Sequence, residues 1–141
     1  MTNPVSINHL SHTLIGAAIE VHRALGPGLL ESAYETAYSH ELGIQGIAHV
    51  RQIALPFTYK GVSIESGYRM DLLIEGQMVI ELKAVEKLMP LFSTQLLTYL
   101  RLGQYSLGLL INFNVTRLVD GIERVSNHAP DLSPRTPRAP R

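Results

Sequence analysis

The chain has 141 residues, no cysteine, and a formal net charge of zero with histidine neutral. The missing thiols exclude disulfides, thiolate metal sites and cysteine nucleophiles, and they fit a cytoplasmic setting. No apolar run approaches the ~20 residues of a membrane span, and the balanced charge argues against a protein that coats nucleic acid through a strongly basic surface. With 45% apolar residues, we expect one folded domain without a membrane partner.

The first part of the chain is predicted to form two helices. Over residues 6–25, apolar side chains recur at steps of three and four, which is typical of an amphipathic helix. The Gly26-Pro27-Gly28 turn ends that helix. A second helix is predicted from about residue 29 to residue 42, with Gly43 as its C-cap.

Strand patterns follow the two helices. Residues 53–59 alternate between two faces up to a Lys60-Gly61 turn, and Pro56 within this stretch predicts an edge strand or a bulged one. Further strands are predicted over residues 62–64, 68–74 and 78–85, the last two joined by a turn over residues 75–77.

The C-terminal part is predicted to add a helix and two strands. Pro90 begins a helix that lasts to about Leu102, the apolar run 106–113 indicates a strand buried on both faces, and residues 122–125 form a short last strand. Together these elements predict a single α/β (α+β) domain over residues 1–128, with a mixed central β-sheet flanked by helices. Residues 129–141 contain four prolines and three arginines and are predicted to be a disordered tail.

The hairpin around Gly76 contains the most informative charges. If residues equally far from Gly76 pair, Asp71 lies opposite Glu81 with Cβ atoms about 4.5–5.5 Å apart, and Lys83 points to the same face as Glu81. Two adjacent buried carboxylates need a compensating charge, which Lys83 or a hard cation such as Mg²⁺ would supply. A two-residue turn would loosen this cluster, and an exposed strand whose charges face water is the simpler alternative.

Four short motifs occur in a particular order along the chain. They are Gly28-Leu-Leu-Glu31-Ser-Ala-Tyr34, then Asp71, then Glu81-Leu82-Lys83, then Gln95-Leu-Leu-Thr-Tyr99. In this order and spacing they resemble the PD-(D/E)xK, or restriction-endonuclease-like, nuclease superfamily, and within it the bacterial GxxExxY family. The resemblance covers roughly residues 15–127 and implies a restriction-endonuclease-like fold.

The resemblance also implies a metal site and a set of catalytic residues. Asp71 and Glu81, together with the backbone carbonyl of Leu82, would hold Mg²⁺ or Mn²⁺. Lys83 would position or activate the attacking water and offset charge on the phosphate.

The second predicted helix would contribute to the same site. The resemblance implies that Glu31 is a further catalytic acid and metal ligand, and in that role it should be less exposed than Glu35 or Glu41. Tyr34 shares a helix face with Glu31 and is a supporting residue, or else a core aromatic with a satisfied hydroxyl.

The third predicted helix would add polar groups. The resemblance implies that Gln95 orients the lysine, the water or the nucleic-acid strand, with Tyr99 one turn further along the same face as support. A surface glutamine and a core tyrosine are the alternative. Phe92 stands where the family pattern leads us to expect a histidine.

Taken together, the resemblance implies a magnesium-dependent nuclease that hydrolyses phosphodiester bonds, with DNA or RNA as its partner. One alternative is a catalytically inactive module that binds nucleic acid or protein and keeps the nuclease fold. Another is a structural or oligomeric module whose charges only serve folding, and a homodimer is left open. Metal binding separates the nuclease from the structural module, and cleavage separates it from the inactive one.

Overall fold

The computed structural model describes residues 4–128 of the chain. Over this range the protein has three α-helices, five strands and one 3-10 helix at Leu118–Gly121. The helices are α1 (Pro4–Leu25), α2 (Glu31–Ile44) and α3 (Pro90–Gly103), and the strands are β1 (His49–Tyr59), β2 (Val62–Ile74), β3 (Met78–Lys83), β4 (Leu107–Asn112) and β5 (Ile122–Ser126). The predicted tail, residues 129–141, lies outside the described residues.

The five strands form one mixed sheet in the order β1-β2-β3-β4-β5. Strands β3 and β4 are parallel, and all other neighbours are antiparallel. Parallel strands need a crossover connection, and α3 provides it between β3 and β4. The predicted mixed sheet flanked by helices is therefore confirmed, except that residues 62–64 and 68–74 form one continuous strand rather than two.

Helices cover both faces of the sheet and enclose two clusters of buried apolar side chains. Every residue of β4 is buried, as its continuous apolar run predicted, because β3 and β5 flank it and helices lie above and below. The cluster beneath α1 and α2 includes Leu14, Tyr34, Tyr38, Leu72, Ile80, Leu82, Ile111 and Phe113. The cluster beneath α3 includes Met70, Val79, Leu96, Tyr99, Leu100 and Leu110.

Strand β1 forms one edge of the sheet and is irregular, as Pro56 predicted. Its register against β2 shifts between Leu55 and Phe57. An edge position and a bulge both spare proline the ladder hydrogen bond that it cannot donate. The β1–β2 hairpin can therefore contain Pro56 without losing a hydrogen bond in the middle of the sheet.

Along β2, the side chains that point to a given face of the sheet change at Asp71. Leu72 packs beneath α1 and α2, whereas Met70, two residues earlier, packs beneath α3. In a regular strand these two side chains would share a face. Opposite Asp71, Gln52 has a φ of 54°, a left-handed conformation that residues other than glycine seldom adopt. Asp71 therefore lies at an irregularity of the β1–β2 hairpin, where the alternation of side chains between the two faces of the sheet is interrupted.

Candidate active site

The β2–β3 hairpin has the register that was predicted from its turn. Leu72 pairs with Ile80 and Ile74 with Met78, so the pairing is centred on Gly76, whose φ of 68° suits a tight turn. One step beyond the last paired residues, the same register places Asp71 opposite Glu81. The two carboxyl-bearing residues are therefore neighbours on adjacent strands.

Each of these two carboxylates is held by the backbone of the opposite strand. Glu81 Oε2 accepts a hydrogen bond from the backbone N–H of Asp71 at 2.8 Å. Asp71 Oδ2 accepts one from the backbone N–H of Leu82, also at 2.8 Å. This reciprocal pair of hydrogen bonds fixes both side chains and leaves one oxygen of each carboxylate outside the pair.

The two carboxyl groups lie where removal from water disfavours their charged forms. Glu81 is only 5% exposed, and its burial together with repulsion from Asp71 raises the pKa of Glu81 to about 8. Burial likewise raises the pKa of Asp71, although its hydrogen bond to Leu82 opposes that shift. Within residues 4–128, neither carboxylate forms an ion pair with a lysine, arginine or histidine. The pair therefore lacks a full counter-charge from the protein.

Lys83 is the cationic side chain beside this pair. As predicted, it points away from the face of Ile80 and Leu82, which lie in the core beneath α1 and α2. Its charge lowers the pKa of both carboxylates against the stronger effect of burial. The Lys83 ammonium lies over the ring of Phe92, 4.5 Å from the ring centroid.

Glu31 approaches the hairpin from the start of α2. Partial removal of its carboxylate from water raises the pKa of Glu31, while attraction to Lys83 and a hydrogen bond with the backbone N–H of Ala84 oppose the shift. Repulsion from Asp71 adds to it. The Glu31 carboxylate thus lies within the electrostatic influence of Asp71 and Lys83, and its role as a further catalytic acid and metal ligand stays a prediction.

The predicted order of exposure within α2 is wrong. Glu31 is an exposed residue, whereas Glu35 is buried and Glu41 is half-buried. The reason is that Glu31 lies in the first helical turn, at the open end of the site. Glu35 lies one turn further along, where the side chains of β1 cover it.

Glu35 and Gln52 are the site residues that the sequence analysis missed. Glu35 accepts hydrogen bonds from Arg51 Nε at 3.0 Å and from Gln52 Nε2 at 2.8 Å. Gln52 Nε2 also lies 3.4 Å from Asp71 Oδ1, so it joins the buried glutamate to the hairpin. The spacing of Glu35, four residues after Glu31, was the only available signal. Nothing local in the sequence indicates the left-handed Gln52.

Tyr34 has the role of a core aromatic with a satisfied hydroxyl. Its hydroxyl donates to the carbonyl of Gly26 at 2.5 Å and accepts from the backbone N–H of Leu29 at 3.1 Å. Its ring stacks on Phe113 with 4.6 Å between centroids. Tyr34 therefore fixes the turn that immediately precedes Glu31.

The two polar residues predicted on α3 differ in their surroundings. Burial and repulsion from Glu81 and Asp71 raise the pKa of Tyr99 to about 12, so its hydroxyl lies near the acids. Its ring packs against Tyr68 at 5.4 Å. Gln95 is half-buried one turn earlier and forms no hydrogen bond with the acids in the described part of the chain.

Comparison with protein families identifies the chain. The model of the PD-(D/E)XK nuclease superfamily matches residues 8–125, which include both strands of the Asp71 hairpin and all three residues Asp71, Glu81 and Lys83. The chain belongs to the PD-(D/E)XK nuclease superfamily. No curated protein and no solved structure shows significant similarity to it. Assignment to the GxxExxY branch of the PD-(D/E)XK superfamily stays a prediction.

Nucleases of the PD-(D/E)XK superfamily typically use divalent metal ions. Within residues 4–128, no three or more His, Cys, Asp or Glu side chains are grouped so as to hold an ion by themselves. Mg²⁺, however, is usually bound through one or two carboxylates, with waters and substrate phosphates completing its shell. Asp71 and Glu81 supply two such carboxylates. Burial and repulsion from a neighbouring acid raise the pKa of each, and a bound cation would oppose both effects.

The described helices of this PD-(D/E)XK protein give no sign of a membrane span. None of those within residues 4–128 combines the length and the apolar character that crossing a bilayer requires.

Proposed function

We propose that the protein is a divalent-metal-dependent nuclease that hydrolyses phosphodiester bonds of nucleic acid. One observation carries this proposal. Two acidic side chains, Asp71 and Glu81, lie on neighbouring strands, and each is held by a backbone N–H of the opposite strand. Within residues 4–128 neither has an ion-pair partner, and Lys83 lies beside them. Burying like charges is costly unless a partner compensates them, so such an arrangement suits the binding of a cation.

The chain would supply several oxygen ligands to the metal ion. Asp71 and Glu81 would hold Mg²⁺ or Mn²⁺ together with the backbone carbonyl of Leu82, and Glu31 would add a third carboxylate from α2. A bound ion would polarise the scissile phosphate and lower the pKa of a bound water. Glu81 would give up its proton on binding, because its raised pKa leaves a large protonated fraction at neutral pH.

The remaining residues would act on the phosphate and on the water. Lys83 would stabilise the extra negative charge that develops on the phosphate in the transition state. Tyr99, whose hydroxyl lies near Glu81 and Asp71, and Gln95, one turn before it, would orient the nucleic-acid strand or the water. Tyr34 would act indirectly, by fixing the turn that places Glu31.

A cleavage assay tests the proposal. Purified protein with Mg²⁺ or Mn²⁺ is incubated with single- and double-stranded DNA and RNA, with EDTA as the metal-free reference. We expect cleavage of at least one substrate, lost with EDTA and reduced at least a hundredfold, about 2.7 kcal/mol in activation free energy, in Glu81→Gln and Lys83→Ala. Glu20→Gln, which neutralises a surface carboxylate paired with Arg23, is the matched control and should cleave normally.

Two outcomes would contradict the proposal. Cleavage that persists at the wild-type rate in Glu81→Gln would come from a contaminating enzyme. Tight binding of nucleic acid without cleavage under any of these conditions would assign the protein to the non-catalytic class of the same fold.

A further inference from the structure

The ring of Phe92 lies directly beneath the charged end of Lys83. The distance from Lys83 Nζ to the ring centroid is 4.5 Å, within the range in which an ammonium is attracted to the face of an aromatic ring. Both residues are half-buried, and Phe92 packs against the apolar cluster beneath α3. Partial removal from water strengthens this attraction compared with a fully exposed pair.

The backbone holds Phe92 in this place. Pro90 begins α3, where its fixed φ is already suited to a helix, and the backbone N–H of Phe92 donates to the carbonyl of Met89 at 3.0 Å. Lys83 is the last residue of β3, and the first turn of α3 returns the chain over it. The contact therefore joins a strand end to a helix start, and neither is a mobile surface loop.

The two acids of the hairpin are held by backbone groups. Asp71 and Glu81 bind backbone N–H groups, and in the described part of the chain neither forms an ion pair with Lys83. A lysine seated on a carboxylate would neutralise it and compete with a cation. A lysine seated on an uncharged ring keeps its full charge for an incoming phosphate and leaves the carboxylates to the metal.

We propose that Phe92 is a positioning residue that holds the Lys83 ammonium for the phosphate and away from Asp71 and Glu81. This inference rests on the proposed nuclease function. It also gives a role to the residue found where the family pattern leads us to expect a histidine. A phenyl ring carries no proton to donate and no metal-binding nitrogen, so its contribution to the site lies in the face that it offers to the lysine.

The first experiment reads the contact itself in metal-free protein without substrate. An aromatic ring shifts the NMR signals of protons above its face upfield, and the Lys83 ε-methylene protons, assigned with Lys83→Arg, should show this shift. Phe92→Leu keeps an apolar side chain but removes the ring, so the signals should return to the positions of a free lysine. Phe92→Tyr keeps the ring and should keep the shift.

The second experiment reads the catalytic consequence. Phe92→Leu should lower kcat about tenfold, with little change in KM or in the stabilisation by metal, because Lys83 acts on the transition state. Phe92→Tyr should restore most of kcat. Tyr59→Leu is the matched control, because Tyr59 lies beneath Lys60 at 5.3 Å at the exposed tip of the β1–β2 hairpin and its loss should leave kcat unchanged.

The inference is overturned if Phe92→Leu leaves the Lys83 signals in place, or if it moves them and kcat stays at the wild-type value. It is also overturned if Phe92→Leu and Phe92→Tyr lose activity equally, since that would indicate packing rather than the ring face. Failure of the nuclease proposal is a separate result, a wild type that cleaves nothing, and it leaves the NMR measurement readable.

Discussion

Glu35 and Glu81 are both buried glutamates, 7% and 5% exposed, yet their surroundings differ completely. Both oxygens of Glu35 are engaged by cationic or amide donors, namely Arg51 and Gln52. Glu81 accepts a hydrogen bond from the backbone N–H of Asp71 and faces the negative charge of that same residue. The charge of Glu35 is therefore compensated by Arg51, whereas within residues 4–128 Glu81 has no ion-pair partner.

This difference separates a buried carboxylate with a guanidinium partner from one without an ion-pair partner in the described part of the chain. The charge of a buried carboxylate that has a guanidinium partner is compensated within the folded protein. A buried carboxylate that repels its neighbour, with its pKa raised to about 8, keeps a cost that only a proton or a cation relieves. Burial alone would not distinguish Glu35 from Glu81, whereas the identity of their partners does.

The largest expected effect is the response of stability to pH in metal-free protein. The folded pKa of Glu81, about 8, exceeds its ordinary value of 4.5, so the folded state holds the proton more tightly than the unfolded chain. The stabilisation from this proton is fully present below about pH 4.5 and is lost as pH rises through about 8, with a slope that approaches about 1.4 kcal/mol per pH unit. Denaturant unfolding in EDTA between pH 5 and pH 8 measures it.

Glu81→Gln should flatten this slope, and Glu35→Gln should keep it. A slope that is the same in wild type and Glu81→Gln would show that Glu81 does not hold the proton and would remove the contrast between the two glutamates.

The second effect is stabilisation by metal. A cation that binds only the folded protein adds about 2.7 kcal/mol to the free energy of unfolding at a hundredfold excess over its Kd. Glu81→Gln and Asp71→Asn should abolish this gain while leaving the metal-free protein as stable as wild type or slightly more stable, because they relieve repulsion. Thermal unfolding with and without millimolar Mg²⁺ or Mn²⁺ measures it, and a wild type that ignores both ions would count heavily against the metal site.

The third effect concerns Glu35, the buried glutamate that is paired with Arg51. Glu35→Gln leaves Arg51 without its counter-charge and should lower the free energy of unfolding by about 2 kcal/mol, less than for a fully buried pair because the Arg51 side chain is 41% exposed. The loss should be the same with and without metal in chemical denaturation. If Glu35→Gln instead abolished the metal response at unchanged stability, Glu35 would be a ligand and not an anchor.

The smallest effect tests whether the turn fixed by Tyr34 positions Glu31. Tyr34→Phe removes the hydroxyl that binds the turn before Glu31 and should cost about 1 kcal/mol of stability, with a weaker response to metal. Tyr38→Phe is the matched control, because its hydroxyl donates to the Leu14 carbonyl within the core. It should cost a similar amount and leave the metal response intact. Equal metal responses in both variants would show that the turn does not position Glu31.

Local rules in the sequence determined the hairpin and most of its neighbours. The register around Gly76 follows from the turn, and the shared face of Glu81 and Lys83 follows from the two-residue period of a strand, so both were predictable. Helix periodicity and Pro90 likewise predicted α1, α2 and α3 to within a few residues at their ends. These features depend on residues close together in the chain.

Contacts between distant residues decided the rest. The predicted gap before residue 68 is absent because β1 pairs with β2 on both sides of its bulge, Leu55 with Tyr68 and Phe57 with Ile64. The side chains of Glu35 and Gln52 meet across 17 positions, and Phe92 reaches Lys83 only because α3 folds back over the end of β3. The sequence alone determined that Asp71, Glu81 and Lys83 would lie close together on the hairpin, at the centre of the candidate site. Only the tertiary structure decided which of the buried charges has a partner, because partners are set by packing between elements and not by spacing along the chain.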